Sequence, residues 1–172
     1  SIAVFYDVAE PDKFISEIKD ILHNEGIYVM EQSYLPMLIK NNAYDSICHE
    51  HLTYFTLKQI DYLCEKNNLK IIKTSLNSMN GGSIRVFIAH KNSDFKVEKK
   101  SIKKCKDLEI KYANIKRLVR FKDQIKLLSI NLNKTIRKII SEKKTIHACG
   151  ASTKGNITLQ YAQVEVGSYA TS

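Results

Sequence analysis

The stretch Asn80-Gly81-Gly82-Ser83-Ile84-Arg85-Val86-Phe87-Ile88-Ala89 joins a turn signal to an apolar strand. Asn-Gly-Gly favours a tight turn because asparagine and glycine tolerate positive φ angles. Residues 69–73, Leu-Lys-Ile-Ile-Lys, form another predicted strand before the turn. Two consecutive strands joined in this way are antiparallel, so the sequence predicts an antiparallel pair around residues 80–82, which we call the NGG turn.

The residues before this pair follow a strand–helix–strand order. Residues 2–6 are almost entirely apolar, which predicts a strand buried on both faces. Apolar residues then recur at helical spacing after Pro11, and Gly26 is a good C-terminal stop. Residues 27–32 are the next predicted strand. This order predicts a parallel unit, so we expect a mostly parallel sheet with one antiparallel strand at its carboxyl-terminal end.

Residues 44–55, which we call the polar loop, concentrate the reactive side chains of the chain. They read YDSICHEHLTYF and hold two imidazoles, two carboxylates, a thiol and two phenols. A segment that follows a strand in an α/β sheet lies at the carboxyl edge, where such folds bind ligands. In an extended stretch side chains alternate, so His49 and His51 are expected on one side and Glu50 on the other.

A glutamate beside a histidine can orient the ring and raise its basicity, as proton abstraction requires. The polar loop therefore predicts a general base, and a purely structural role for each histidine stays open. The pair His49-x-His51 is a weak metal signal because no third or fourth ligand is evident nearby. We predict no metal here.

The second half of the chain is helical and basic. From about residue 95, apolar residues recur at helical spacing, which predicts one long amphipathic helix or two shorter ones. Residues 96–144 hold 17 Lys and Arg against 5 Asp and Glu, and the whole chain has a net charge of +9. A solvated lysine-rich face, or attraction of an anionic substrate, explains this charge better than nucleic-acid binding, for which no reading motif is present.

A second motif lies near residue 150. Residues 145–149 predict a short strand, which leads into Gly150-Ala151-Ser152-Thr153-Lys154-Gly155-Asn156 and then a helical pattern. Glycines, a helix N-terminus and a lysine can cradle a phosphate. The alternative is an ordinary turn with Ser152 or Thr153 as a helix cap.

Composition sets the class and the compartment. No apolar run approaches a membrane span, no signal segment opens the chain, and the four cysteines are far apart. We therefore expect a cytoplasmic protein with reduced thiols and no membrane partner.

A mostly parallel sheet with a late antiparallel strand is the pattern of class I (Rossmann-like) methyltransferase domains. We therefore expect an α/β fold: residues 1–92 as the C-terminal half of such a sheet, and residues 93–172 as a helical linker and the beginning of a second Rossmann-like domain. The segments FYD (5–7), GIYVMEQSY (26–34), NAYDSICHEH (42–51), NGGSIR (80–85) and GASTKGN (150–156) occur in this order. Together they resemble the S-adenosyl-L-methionine-dependent sugar C-methyltransferases, which act on nucleotide-linked keto-deoxysugars.

The resemblance implies roles for particular residues. Glu50 and His51 match the family's catalytic pair, with His49 beside them, and His51 would remove the proton next to the sugar ketone. Cys48 stands where relatives often carry a tyrosine, so Tyr44 or Tyr54 could stabilise the enolate instead. Phe5 and Tyr6 would bind the cofactor. The residues implied for the nucleotide sugar are Tyr54, Gly150, Ala151, Ser152, Thr153, Lys154 and Asn156.

The resemblance also implies that this chain is the middle of a longer protein, with a zinc-binding module and the cofactor-gripping loop before it. Two alternatives remain open at this point. One is an O- or N-methyltransferase acting on a sugar or another small metabolite, and the other is a non-catalytic module that binds a nucleotide sugar. The sequence predicts neither the sugar nor the oligomeric state.

Overall fold

The computed structural model describes residues 1–147 and 152–164. The described chain is α/β, with one small sheet and surrounding helices. In chain order its elements are α1 (Pro11–Ile21), β1 (Tyr28–Ser33), α2 (Leu35–Asn41), α3 (Leu57–Lys66), β2 (Leu69–Asn77), β3 (Ser83–His90), α4 (Lys99–Tyr112), α5 (Ile115–Ser141) and α6 (Thr153–Tyr161). Short 3₁₀ turns lie at Phe5–Asp7, Tyr44–Ser46 and Met79–Gly81.

The three strands form a sheet in the order β1-β3-β2, with β3 antiparallel to both neighbours. The antiparallel pair predicted around the NGG turn is confirmed as β2 and β3, with a register shift between Ile71 and Lys73. The expected mostly parallel sheet is not what the described strands form. β1 and β2 run in the same direction, but β3 lies between them, so neither pairs with a parallel neighbour among these strands.

The strand predicted at residues 2–6 is wrong. Ile2 makes a single parallel bridge to Glu31, and then Ala3 adopts a φ of 54° that turns the chain into the 3₁₀ turn at Phe5–Asp7. Phe5 and Tyr6 are both buried, whereas Ile2 is 72% exposed. A strand would send consecutive side chains to opposite faces, and burial of two neighbouring rings in one core requires the tighter turn.

The main core covers one face of the sheet. Ile84, Val86 and Ile88 alternate along β3 and are fully buried, as period-two packing requires. Ile15 of α1 and Ile60 of α3 belong to the same cluster. Each such side chain contributes about 1.5–3 kcal/mol when it leaves water.

A buried polar contact fastens α4 to this core. The hydroxyl of Tyr34 donates to a carboxylate oxygen of Glu109 at 2.8 Å, and the backbone N–H of Leu57 donates to the same oxygen. Burial is the main reason why the pKa of Tyr34 lies well above its usual range. Glu109 thus joins the end of β1 and the start of α3 to the last turn of α4.

Most of the helices that the sequence predicted are present in the structure. The predicted helix after Pro11 is α1, although it ends at Ile21, before the expected stop at Gly26. Thr56 caps α3 in the structure, with its N–H donating to Gln59 at 2.6 Å. The basic segment forms two helices, α4 and α5, because Asn114 breaks the first and caps the second. Helix α2 was missed because it has only seven residues and Pro36 stands in its first turn.

The strand predicted at residues 145–149 is not formed by residues 145–147, which pair with none of the described strands. Residues 148 and 149 lie outside the described residues. In the part of the chain that the structure covers, every helix is too short or too polar to cross a membrane.

We expect Gly82→Ala to destabilise the fold. Gly82 has a φ of 125°, and an added Cβ would lie 2.4 Å from the Cβ of Met37. The backbone strain and the clash together should lower the free energy of unfolding by about 2 kcal/mol or more. Urea denaturation followed by circular dichroism measures this change.

Gly155→Ala is the matched control, because it lies in α6 and its added Cβ meets nothing closer than 3.8 Å. Its free energy of unfolding should stay within about 1 kcal/mol of the parent value. Equal losses for the two variants would contradict the packing of the NGG turn.

Candidate functional site

The polar loop is not an extended segment, as the alternation argument assumed. It begins with the 3₁₀ turn at Tyr44–Ser46, and the N–H of His51 then donates to the carbonyl of Cys48 at 3.3 Å, which closes a turn over His49 and Glu50. The expectation that the two histidines share one side was therefore based on the wrong backbone geometry. His49 and Glu50 are exposed, whereas His51 is half-buried.

The backbone carbonyl of Ser46 organises the loop. It lies 2.7 Å from Nδ1 of His51 and accepts a hydrogen bond from the hydroxyl of Tyr54 at 3.3 Å. A carbonyl oxygen can only accept, so in the neutral ring of His51 the proton lies on Nδ1 and the lone pair on Nε2. This is the tautomer and the orientation that a general base requires.

Tyr6 holds the other side of the imidazole. Its ring centroid lies 4.2 Å from that of His51, and its backbone carbonyl accepts from the N–H groups of Leu52 (2.9 Å) and Thr53 (3.2 Å). Burial raises the pKa of Tyr6 and also that of Tyr54, so both phenols stay protonated through neutral pH. The imidazole of His51 thus has two neutral aromatic rings near it, with ring centroids 4.2 Å (Tyr6) and 6.3 Å (Tyr54) away.

Phe5 is 1% exposed and stacks with Phe14 and Phe55, at centroid distances of 5.6 and 4.8 Å. It is part of the core. Its neighbour Tyr6 is 7% exposed and faces His51. The suggested role of these two residues in cofactor binding stays a prediction.

Glu50 faces the second motif and not the histidine that follows it. The hydroxyl of Thr153 donates to a carboxylate oxygen of Glu50 at 3.5 Å. Among the described residues no hydrogen bond joins Glu50 to His51. The sequence predicts that Glu50 orients the ring of His51. In the structure the carbonyl of Ser46 orients that ring instead.

Helix α6 brings the second motif to the polar loop. Lys154 donates to the side-chain oxygen of Asn80 in the NGG turn at 3.1 Å, and the ring of Tyr161 lies 5.4 Å from that of Tyr44. Ser152 caps the helix by accepting from the N–H of Gly155 at 3.3 Å. Asn156 is exposed, and Gly150 and Ala151 lie outside the described residues.

Sequence reasoning missed the partners that hold these groups. The Ser46 carbonyl carries no side-chain signal, and Tyr161 lay in an unremarkable helical pattern. Asn80 was visible only as a turn residue, although it also faces Lys154. Within residues 1–147 and 152–164, no three His, Cys, Asp or Glu side chains are grouped closely enough to hold a metal ion. The zinc module concerns residues outside this sequence and stays a prediction.

The chain is similar to known proteins in a family model and in a curated relative. A family model described as a C-methyltransferase C-terminal domain matches residues 78–169. The C-methyltransferase NovU from Streptomyces niveus is 28% identical over 156 residues, which cover 90% of this chain and 37% of NovU. The chain thus spans little more than a third of the length of this relative.

We expect Tyr54→Phe to weaken the polar loop. The change removes the hydroxyl that donates to Ser46 and leaves the ring in place. The free energy of unfolding should fall by about 1 kcal/mol, the usual net value of one hydrogen bond. Tyr62→Phe is the control because that side chain is 65% exposed. If urea denaturation gave the same stability for both variants, the hydrogen bond from Tyr54 would not hold the loop.

Proposed function

The chain belongs to the family of C-methyltransferase C-terminal domains, and we propose that its protein is an S-adenosyl-L-methionine-dependent C-methyltransferase. The family match covers more than half of the chain, and NovU, itself named a C-methyltransferase, is similar over nearly all of it. The proposed substrate is a nucleotide-linked keto-deoxysugar, as the resemblance of the polar loop and the GASTKGN motif implies.

One observation carries the proposal. Nδ1 of His51 lies 2.7 Å from the carbonyl oxygen of Ser46 and donates to it, so that Nε2 is the basic atom of the neutral ring. A ketone acidifies the neighbouring C–H, and a positioned imidazole has the basicity to take that proton near neutral pH. The proton moves to Nε2, the electrons of the C–H bond enter the enolate, and the resulting carbon nucleophile is what C-methylation needs.

S-adenosyl-L-methionine is the methyl donor in this class of reaction. The two residues proposed to contact it, Phe5 and Tyr6, are 1% and 7% exposed, and Phe5 is packed in the core. These two side chains therefore offer little accessible surface to the cofactor. What the residues of this chain contribute is the proton transfer and the position of the substrate.

The remaining polar groups have proposed roles around the enolate. Tyr44 and Tyr54 are the candidate donors to the enolate oxygen, and Tyr54 can act only by exchanging the hydrogen bond that its single O–H donates to the Ser46 carbonyl. Glu50, which accepts from Thr153 and makes no hydrogen bond to His51 among the described residues, has a proposed supporting role in proton transfer, and His49 is exposed in the same turn. Lys154 offers a positive charge to the diphosphate of the nucleotide, beside Gly150, Ala151, Ser152, Thr153 and Asn156.

The sheet agrees with a class I methyltransferase domain as a proposed parent fold. β1 and β2 run in the same direction, and β3 is inserted between them in the opposite direction. On the other side of β1, Ile2 forms a parallel bridge with Glu31, so the chain at Ile2 runs in the same direction as β1. The parent sheet proposed here is mixed, with the last strand in sequence, β3, inserted in the antiparallel direction between two strands that run the same way.

We expect His51→Ala to lower the turnover of the full-length enzyme by at least about 100-fold, the usual contribution of a general base. Glu50→Gln should lower turnover less, because Glu50 does not orient the ring. The measurement is mass spectrometry of methylated product formed from a keto-sugar deuterated next to the ketone. His23→Ala is the control, since His23 is exposed at the end of α1.

Loss of the deuterium in the product supports C-methylation. Retention of the label would favour O- or N-methylation, and turnover of His51→Ala within a few-fold of the parent would remove the proposed base. If the full-length protein binds the nucleotide sugar but never transfers a methyl group to any acceptor, a binding module is the better description.

A further inference from the structure

A cavity of about 250 Å³ lies between helices α2 and α5, beside the end of α4. Its lining, among the described residues, contains no acidic side chain and combines cations, aromatic rings and two amides: Lys40, Arg117, Arg120, Tyr112, Phe121, Asn42 and Gln124. We propose that this α2–α5 cavity binds the phosphate group of a small phosphate-bearing ligand. The proposal stands independently of the methyl-transfer reaction.

The side chain of Arg117 is positioned by two contacts within the protein. Its Nε donates to the carbonyl of Lys111 at 3.2 Å, and its guanidinium carbon lies 5.3 Å from the ring centroid of Tyr112. These two contacts restrain the guanidinium, and its terminal N–H groups donate to no other group among residues 1–147 and 152–164. A fixed guanidinium suits phosphate because it donates two parallel hydrogen bonds at little cost in side-chain entropy.

The charges around the cavity are not balanced by the described protein. None of the ion pairs within residues 1–147 and 152–164 includes Lys40, Arg117 or Arg120. The first turn of α5 has no acidic residue, although acidic residues are favoured at that end of a helix. Three cations that line one cavity repel one another, and a bound anion removes this repulsion.

The size and the walls of the cavity favour a small organic phosphate over a polynucleotide. Nucleic acid is bound along an extended basic track, whereas this lining is confined to the ends of α2 and α4 and the first turns of α5. Ile39 and Phe121 supply an apolar wall for the part of the ligand that carries no charge.

The test is calorimetric titration of the full-length protein with inorganic pyrophosphate and, separately, with uridine diphosphate at constant ionic strength. Arg117→Ala/Arg120→Ala should weaken binding of both probes by about tenfold or more. Lys40→Ala should also weaken binding of both probes, because Lys40 lines the cavity from the opposite helix, α2.

Lys122→Ala/Lys126→Ala is the matched control. It removes the same charge from exposed positions of the same helix that do not line the cavity. The affinity of this variant for pyrophosphate and for uridine diphosphate should stay within about twofold of the affinity of the parent protein, since exposed charges at a distance are screened by salt. Circular dichroism of each variant verifies that the helices are retained.

The arms of the titration separate the sources of the phosphate. Tighter binding of uridine diphosphate that is lost in the cavity variants assigns the cavity to an organic phosphate, whereas tighter binding that these variants keep belongs to the site proposed at Lys154 and overturns the proposal for an organic phosphate in the cavity. Equal binding of the two probes, weakened by the cavity variants, assigns the cavity to free phosphate. Equal weakening by the cavity variants and by the control would overturn the proposal, because the attraction would then be diffuse. Absence of binding by the parent protein would overturn it too. The proposal would also be overturned if a single-stranded oligonucleotide displaced pyrophosphate and bound more weakly to the same variants, because the cavity would then belong to a nucleic-acid site.

Discussion

The packing of the NGG turn against α2 is the contact on which both the sheet and the polar loop depend. Asn80, Gly81 and Gly82 all have positive φ angles, of 53°, 81° and 125°. The turn lies so close to its neighbours that a Cβ on Gly81 would be 2.4 Å from the Cβ of Ala43. Asn41 completes the contact by donating to the carbonyl of Gly81 at 2.7 Å. The residues that reverse the chain between β2 and β3 therefore also fix the start of the polar loop.

From this contact the site is built in two directions. On one side, Ala43 leads into the turn at Tyr44–Ser46, whose last carbonyl holds His51 and Tyr54. On the other side, Asn80 accepts from Lys154 and so links the NGG turn to α6. Two segments about a hundred residues apart in sequence thus meet at one place, where charged, basic and phenolic groups share a small region. Such convergence is typical of binding and catalytic sites on α/β sheets.

Features fixed by neighbouring residues could be predicted from the sequence. The antiparallel return after Asn80-Gly81-Gly82, the cap at Thr56 and the helix that begins after Ser152 all depend on a few adjacent residues. Features fixed by distant partners could not. Glu109 joins Tyr34 and Leu57 across more than fifty residues, and nothing near Glu109 in the sequence indicates this.

The same division applies to the candidate site. The residue types in the polar loop indicated proton transfer, because imidazole, carboxylate and phenol side chains are the groups that carry it. Their geometry depended on the backbone, which turns at His49 and Glu50 where extended structure was expected. As a result, the orienting group of His51 is a main-chain carbonyl, and the glutamate beside it faces Thr153.

The most direct measurement is the tautomer of His51 in the full-length protein, read from long-range proton–nitrogen correlation NMR at a pH where the ring is neutral. A proton on Nδ1 and a free lone pair on Nε2 are the predicted result, because the Ser46 carbonyl accepts from Nδ1. A proton on Nε2, or the averaged signals of a ring that exchanges freely between tautomers, would contradict the claim that this histidine is held as a base.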